Sequence, residues 1–187
     1  QSGLGKVNAA IVSTLLIEIF ECKFLLFSGV AGGIDPGIEI GEVIIGESLI
    51  QHDYGTLKNR TMITFPPGSI QTAKSQNDLE YILNPKIKHK IKVSIPNVRM
   101  RKILTGDVFL QCKETKRELF EKFGAQAIDM EGAAVAQVAE QFGIPAVVVR
   151  CLSDLAELGS EKISSKFLNK AAKRSFDTAQ KILDILF

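Results

Sequence analysis

The sequence predicts an α/β layered sandwich built on a largely parallel sheet, and three observations carry that prediction. Helix-period segments alternate with short apolar runs along the chain. The run "AVVVRCLSD" (146–154) is β-branched with little alternation, as a central strand covered on both faces requires. A composition of 45% hydrophobic and 24% charged residues over 187 positions fits one domain, 1–187, with a sizeable core.

Taken in order, Val7, Ile11, Leu15, Leu16 and Ile19 recur at helical spacing and predict a first helix. "KFLLFSGV" (23–30) is a short apolar run ending in glycine, the mark of a buried strand. "IEIGEVIIGESLI" (38–50) is rich in isoleucine and punctuated by glycine, which predicts one or two strands with a bend or bulge. Residues 55–77, with Pro66-Pro67-Gly68 and a polar tail, read as a loop, and a loop of that length is often functional. "VRMRKILTGDVFL" (98–110) predicts another strand, followed by a charged helix from Lys113 to Phe123 stopped at Gly124. Glu131 to Phe142 predicts a helix buried through Ala134, Val135, Val138 and Phe142 and ended by Gly143 and Pro145. Phe167, Leu168, Ala171, Ala172, Phe176, Ala179, Ile182, Leu183 and Leu186 mark a long amphipathic terminal helix.

Several function classes are disfavoured. The net charge is only +2. Lys86, Lys88, Lys90, Lys92, Arg99, Arg101 and Lys102 cluster without interleaved aromatics to stack on bases, so a solvated basic face is expected and no nucleic-acid partner. Cys22, Cys112 and Cys151 offer neither a disulfide framework nor a CxxC clasp, and read as reduced thiols of a cytoplasmic protein. No apolar run approaches the roughly 18 residues of a membrane span, so no membrane partner is expected. His52 and His89 stand far apart in sequence, no spacing supports a metal site, and neither metal nor cofactor is expected.

In sheets of this kind functional groups gather at the carboxyl ends of the strands. Three stretches fall there: the "SGVAGG" turn (28–33), the "DMEG" turn (129–132) and "SD" (153–154). Glu131 opens a helix, where the backbone dipole favours an ionised carboxylate; it reads either as a helix-start acid or as an acceptor for a pair of sugar hydroxyls. Asp129 points to the opposite face if its strand persists, so the two acids are not expected to form a close dyad. Asp154 reads either as a helix cap or as a general acid at the mouth of an apolar pocket. Arg150, inside a hydrophobic strand, needs an anionic or polar partner. The glycines of "SGVAGG" suit close approach to a ligand or merely a tight turn, and the absence of Lys and Arg there speaks against phosphate. Phe109, by residue type alone, reads as core.

The motifs "SGLGKV" (2–7), "FSGVAGGI" (27–34), "TGDVFL" (105–110), "IDMEGAAVA" (128–136) and "VVVRCLSD" (147–154) occur in the order and approximate spacing of 5'-methylthioadenosine/S-adenosylhomocysteine nucleosidases. The chain resembles that family over nearly its whole length, within the wider purine nucleoside phosphorylase-like superfamily. The resemblance implies a three-layer α/β/α sandwich with a mixed, largely parallel central sheet. It implies a homodimer that acts on a small-molecule nucleoside, hydrolysing its N-glycosidic bond and releasing adenine. By motif match, Asp154 protonates or hydrogen-bonds N7 of the leaving base with Ser153 orienting it. Phe109 stacks on the base and the Leu110 main chain reads its edge. Met130 and Glu131 hold the ribose, with Ile128 beside them. Arg150, with Ala31 and Gly32, borders the attacking water. Such chemistry passes through an oxocarbenium-like state that needs leaving-group protonation and a placed water.

The chain departs from the family in three ways. The family's water-activating glutamate lies in a first strand–loop segment to which no residue here matches. The chain begins at Gln1, so the first strands are expected to be missing and this chain on its own to be inactive. The 55–77 stretch is longer than the family's 5'-substituent pocket calls for, and Ser164 falls where an aromatic side chain often closes that pocket. Two rival readings stand beside hydrolysis: a purine nucleoside phosphorylase and a catalytically inactive nucleoside-binding protein. Against the first, Phe27 lies where phosphorylases tend to carry an arginine, and "SGLGKV" lacks their proline-serine loop.

Overall fold

The apolar runs pair as a sheet whose strands return on themselves. The computed structural model describes residues 1–71, 75–156 and 165–187. Its elements are α1 (Lys6–Glu18), β1 (Leu25–Gly33), β2 (Val43–Gln51), β3 (Gly55–Lys58), β4 (Thr61–Thr64), β5 (Tyr81–Ile82) and α2 (Pro85–Ser94). They continue with β6 (Arg99–Thr105), α3 (Lys113–Phe123), β7 (Ala127–Asp129), α4 (Gly132–Gln141), β8 (Ala146–Asp154) and α5 (Ser165–Leu186). The main sheet runs β5-β2-β6-β7-β1-β8, and β8 pairs also with β2, which joins β2, β6, β7, β1 and β8 into a ring. The long pairings β1–β8 and β2–β6, and the short β6–β7, are parallel; β1–β7, β2–β5 and β2–β8 are antiparallel. This is the mixed, largely parallel sheet, with helices on both sides, that the resemblance implied.

β8 explains its own lack of alternation. Val148 and Leu152 pack on one side with Ala133 and Ala136 of α4. Val147 and Val149 pack on the other with Ala179 and Ile182 of α5 and Ile91 of α2. A strand buried on both faces has no polar face to alternate with. Ser175, fully buried on α5, fastens the same strand pair: its hydroxyl accepts from Gly29 N–H at 3.1 Å and donates to Val149 O at 3.0 Å. The bend expected in β2 is a register shift between Gly46 and Ser48 against β6. There β2 changes partner, from β8 at 43–45 to β5 at 48–49.

Several expectations are corrected. The 55–77 stretch is not all loop: β3 and β4 form a hairpin whose turn residues Asn59 and Arg60 both have positive φ. Four-residue strands with an Asn-Arg turn carry little of the usual Asn-Gly signal. Residues 72–74 lie outside the described residues. The apolar stripe that predicts α1 is not its buried face. Ala9, Ser13 and Ile17 pack against α4, whereas Val7 is 69% exposed and Ile11, Leu15 and Ile19 also face outward. In α4 the buried set is Ala133, Ala134, Val135, Ala136 and Ala139, and Phe142 is exposed. On α5, Phe176 and Leu183 are exposed while Ala171, Ser175, Ala179 and Ile182 are buried. In the basic cluster, Lys88 pairs with Glu47, Lys102 with Glu80, and Arg99 and Arg101 with Glu42.

Candidate active site

At the C-terminal ends of β1, β7 and β8, one buried arginine organises the polar groups. Arg150 on β8 has a side chain only 1% exposed. Its Nε donates to Asp129 Oδ2 at 2.7 Å, and its Nη2 lies 3.5 Å from Glu131 Oε2. The guanidinium lies over the Phe27 ring, 4.5 Å from its centroid. Room for it comes from Gly29, where any Cβ would collide with Arg150 Nη1. The "SGVAGG" glycines are therefore strand residues of β1 rather than the expected turn, and they make way for side chains from elsewhere in the fold. Gly33 likewise yields to Ile38, 2.7 Å from where its Cβ would be.

Asp129 ends β7 and is saturated. Besides Arg150 it accepts the Thr105 hydroxyl at 2.6 Å, the Gly132 N–H at 3.1 Å and the Glu131 N–H at 3.3 Å. Its carboxylate thus satisfies the free amides at the start of α4, where the helix dipole favours negative charge. Gly132 is required there, because a Cβ would lie 2.6 Å from Asp129 Oδ2. The expectation that the two acids face apart is corrected: β7 stops at Asp129, the chain turns at Glu131, and a single guanidinium reaches both.

Glu131 stands immediately ahead of α4 and is buried. Its Oε1 accepts the Gly5 N–H at 3.0 Å, a contact made possible by the positive φ of Gly5. Burial pushes its carboxyl above the ordinary range; the Gly5 hydrogen bond and the Arg150 charge oppose this, and the Asp129 charge adds to it.

Asp154 closes β8 beside a bulge. Ala31 pairs with Leu152 but Gly32 with Asp154, leaving Ser153 as the extra residue. Such bulges re-aim side chains. Ser153 Oγ donates to Asp154 Oδ2 at 2.8 Å, and Ala156 N–H to Oδ1 at 2.7 Å. Gly32 approaches so closely that a Cβ would lie 3.0 Å from Oδ1.

These groups face a cleft of about 420 Å³. Ala31, Gly32, Phe109, Leu110, Ile128, Met130, Glu131, Ser153 and Asp154 all line it, so motifs far apart in sequence converge. Arg150 is not among the lining residues; it lies one layer deeper, behind Glu131. Phe109 is 53% exposed at the cleft, which corrects its reading as core. Asp129 also lines it, and Leu4, Val30, Val108, Ala156 and Leu168, none of them a site residue expected from the sequence, complete the lining. Leu4 and Gly5 had a signal in "SGLGKV", where paired glycines mark an unusual backbone path. Ser164 lies outside the described residues.

The phosphorylase superfamily model matches residues 1–186. A 5'-methylthioadenosine/S-adenosylhomocysteine nucleosidase of Mycobacterium tuberculosis is 34% identical over 203 residues, spanning 99% of this chain and 80% of its own. Among solved structures, the futalosine hydrolase of Helicobacter pylori strain 26695 superposes with a TM-score of 0.84 at 30% identity, over 99% of this chain and 78% of its own. A 5'-methylthioadenosine/S-adenosylhomocysteine nucleosidase of S. pneumoniae, solved with a transition-state inhibitor, gives 0.86 at 27% identity, over 100% and 80%.

Removing the guanidinium would leave Asp129 and Glu131 buried together without a cation. Arg150→Leu is expected to cost about 3–5 kcal/mol of stability, as breaking a buried ion pair does, read from urea unfolding. Arg150→Lys should recover only part, since an ammonium cannot bridge two carboxylates as the planar fork does. Unfolding midpoints equal to the parent's would refute this account of the site.

Proposed function

The chain belongs to the phosphorylase superfamily, and from that membership we propose that residues 1–187 form a nucleosidase domain, an N-ribosyl hydrolase. It cleaves the N-glycosidic bond of 5'-methylthioadenosine or S-adenosylhomocysteine and releases adenine, the activity its nucleosidase relatives are named for. One observation carries the reading: a single cleft brings together a carboxyl group with a hydroxyl on it, a second carboxylate with free acceptor capacity, and an exposed aromatic face.

The chemistry follows from that arrangement. Asp154 delivers a proton to N7 of the departing adenine, and Ser153, hydrogen-bonded to it, fixes its orientation. Phe109 covers the base face and the Leu110 main chain meets its edge. Glu131 accepts from the ribose hydroxyls: a carboxylate offers about four lone-pair sites, and the contacts from Gly5 and Arg150 leave others free. The same negative charge stabilises the oxocarbenium character that develops on the sugar. Met130 and Ile128 pack beside the ribose, and Ala31 and Gly32 bring main chain to the water side. Arg150 serves as a positioning residue, acting through Glu131.

Hydrolysis rather than phosphorolysis is supported by Phe27, which is engaged beneath Arg150, and by a "SGVAGG" segment without a cation. A homodimer is supported by α1. Val7, Ile11, Leu15, Ile19 and Phe20 leave an apolar face uncovered, and the adjoining Leu4 is both 76% exposed and part of the cleft wall. A second copy seated there buries the face and closes that side of the cleft. No described helix is long and apolar enough to cross a membrane. The free state of Cys22, Cys112 and Cys151 supports a cytoplasmic site of action.

Adenine release from 5'-methylthioadenosine is expected in phosphate-free buffer, measured on the full gene product. A rate proportional to phosphate, with ribose 1-phosphate as product, would replace hydrolysis by phosphorolysis; nucleoside binding without release would replace it by a binding function. Asp154→Asn should lower kcat by roughly 10²–10⁴-fold, the usual worth of a general acid, while a binding isotherm changes only a few-fold. Because Glu131 must be ionised to accept, and burial raises its titration, KM should climb as pH falls through a value above the ordinary carboxylate range. Glu131→Gln should remove that acidic limb from the KM profile. Sedimentation should give a dimer for the parent and a monomer for Ile11→Asp; a monomeric parent would remove the assembly.

A further inference from the structure

The wall that faces the base has little packing to hold it. Val108 and Phe109 are both more than half exposed, so apolar contact does not fix where the Phe109 ring lies over the cleft. What ties the turn carrying them is polar. Lys6, at the start of α1, donates from Nζ to Asp53 Oδ1 at 2.7 Å and lies 3.8 Å from Asp107 Oδ2. The Lys6 backbone N–H donates to Asp107 Oδ1 at 2.8 Å. The Asp107 N–H in turn donates to Asp53 Oδ2 at 2.8 Å. Three stretches distant in sequence, the entry to α1, the turn after β2 and the turn after β6, are thereby fastened in one closed set of contacts.

Each end of this set adjoins a group that reaches the cleft. Immediately before Lys6, the Gly5 N–H holds Glu131 Oε1. Two residues after Asp107 stands Phe109, on the cleft wall. A Cβ at Gly5 would lie 3.0 Å from Asp107 Oδ1, so the glycine lets the two strands of contact meet. The ion pair is largely withdrawn from water, with Lys6 and Asp53 side chains 17% and 18% exposed. Burial alone would raise the Asp53 carboxyl; the Lys6 and Asp107 hydrogen bonds outweigh it, and the group titrates below its ordinary range.

We propose that Lys6, Asp53 and Asp107 form a positioning clasp for the nucleoside site, setting the grip on the sugar through Gly5 and Glu131 and the grip on the base through Phe109 with one ion pair. The role rests on the nucleosidase reading above. None of the three touches the reacting atoms; they act through Glu131 and Phe109.

Calorimetric binding tests it, with adenine and with a C-glycoside analogue of 5'-methylthioadenosine as probes. Lys6→Met and the nearly isosteric Asp53→Asn should each weaken both probes about tenfold. The double variant should bind no worse than the weaker single, since members of one network are not additive. Lys6→Arg should recover most of the affinity. Should Lys6→Met fail to fold, Asp53→Asn alone carries the same expectation. Affinities within twofold of the parent, whatever happens to the melting temperature, would overturn the clasp and leave a merely structural ion pair. Fully additive losses in the double variant would overturn it too. A parent chain that binds neither probe refutes the nucleosidase reading itself, an outcome distinct from a parent that binds and variants that bind equally.

Discussion

A charge that has left water must find partners, and the architecture around the cleft follows from the placement of one such charge. Arg150 stands in a strand covered on both faces, where an unpaired guanidinium would cost several kcal/mol. Its partners come from the start of a helix on the neighbouring part of the fold, so β8 cannot be placed without placing β7 and α4. Its guanidinium lies over the Phe27 ring and displaces any side chain at residue 29, so β1 is specified as well. Asp129 then does double duty, neutralising the arginine and capping the start of α4, with the Thr105 hydroxyl from β6 on a third side. One ion therefore couples four strands and a helix.

That arrangement also separates two carboxylates that would otherwise compete. Asp129 is filled by four donors and has nothing left for a ligand. Glu131 receives the longer contact from the same guanidinium together with backbone hydrogen bonds, and it is partly desolvated at the cleft wall. Asp154, on the far end of β8, has a bulge to aim it and its own hydroxyl partner. Three acids crowd one rim, yet each is in a different electrostatic setting, and differences of setting are what allow similar groups to take different roles.

Where the sequence was legible, the signal was local. β8 was legible because an unbroken β-branched run has few alternatives, and α3 because Gly124 adopts the left-handed conformation at its end. The convergence of "SGVAGG", "DMEG" and "SD" followed from the rule that open α/β sheets place function at strand ends. What was illegible was non-local. The glycines of β1 answer to Arg150 and Ile38, side chains more than a hundred positions and several positions away, and nothing in "SGVAGG" distinguishes that from a turn. The outward stripe of α1 has the same period as a buried one, since periodicity reports a helix without reporting which side is covered. The hairpin at 55–64 is silent in the sequence because its two-residue turn lacks the glycine that usually announces one. Phe109 has the residue type of a core position, but its place at the cleft depends on the path of a turn.

The contact from residue 5 to Glu131 has a consequence for how this protein can vary. It is donated by the main chain, so no exchange of one side chain for another, proline apart, deletes the donor; otherwise only the conformation that delivers it can be lost. That conformation has φ near 90°, a region glycine enters freely and other residues rarely do. A substitution scan would therefore record position 5 as a site of backbone geometry, while the effect on the cleft surfaced at residue 131. Heritable variation in how Glu131 is held is channelled into the shape of the chain ahead of α1, where it carries no chemical signature of its own.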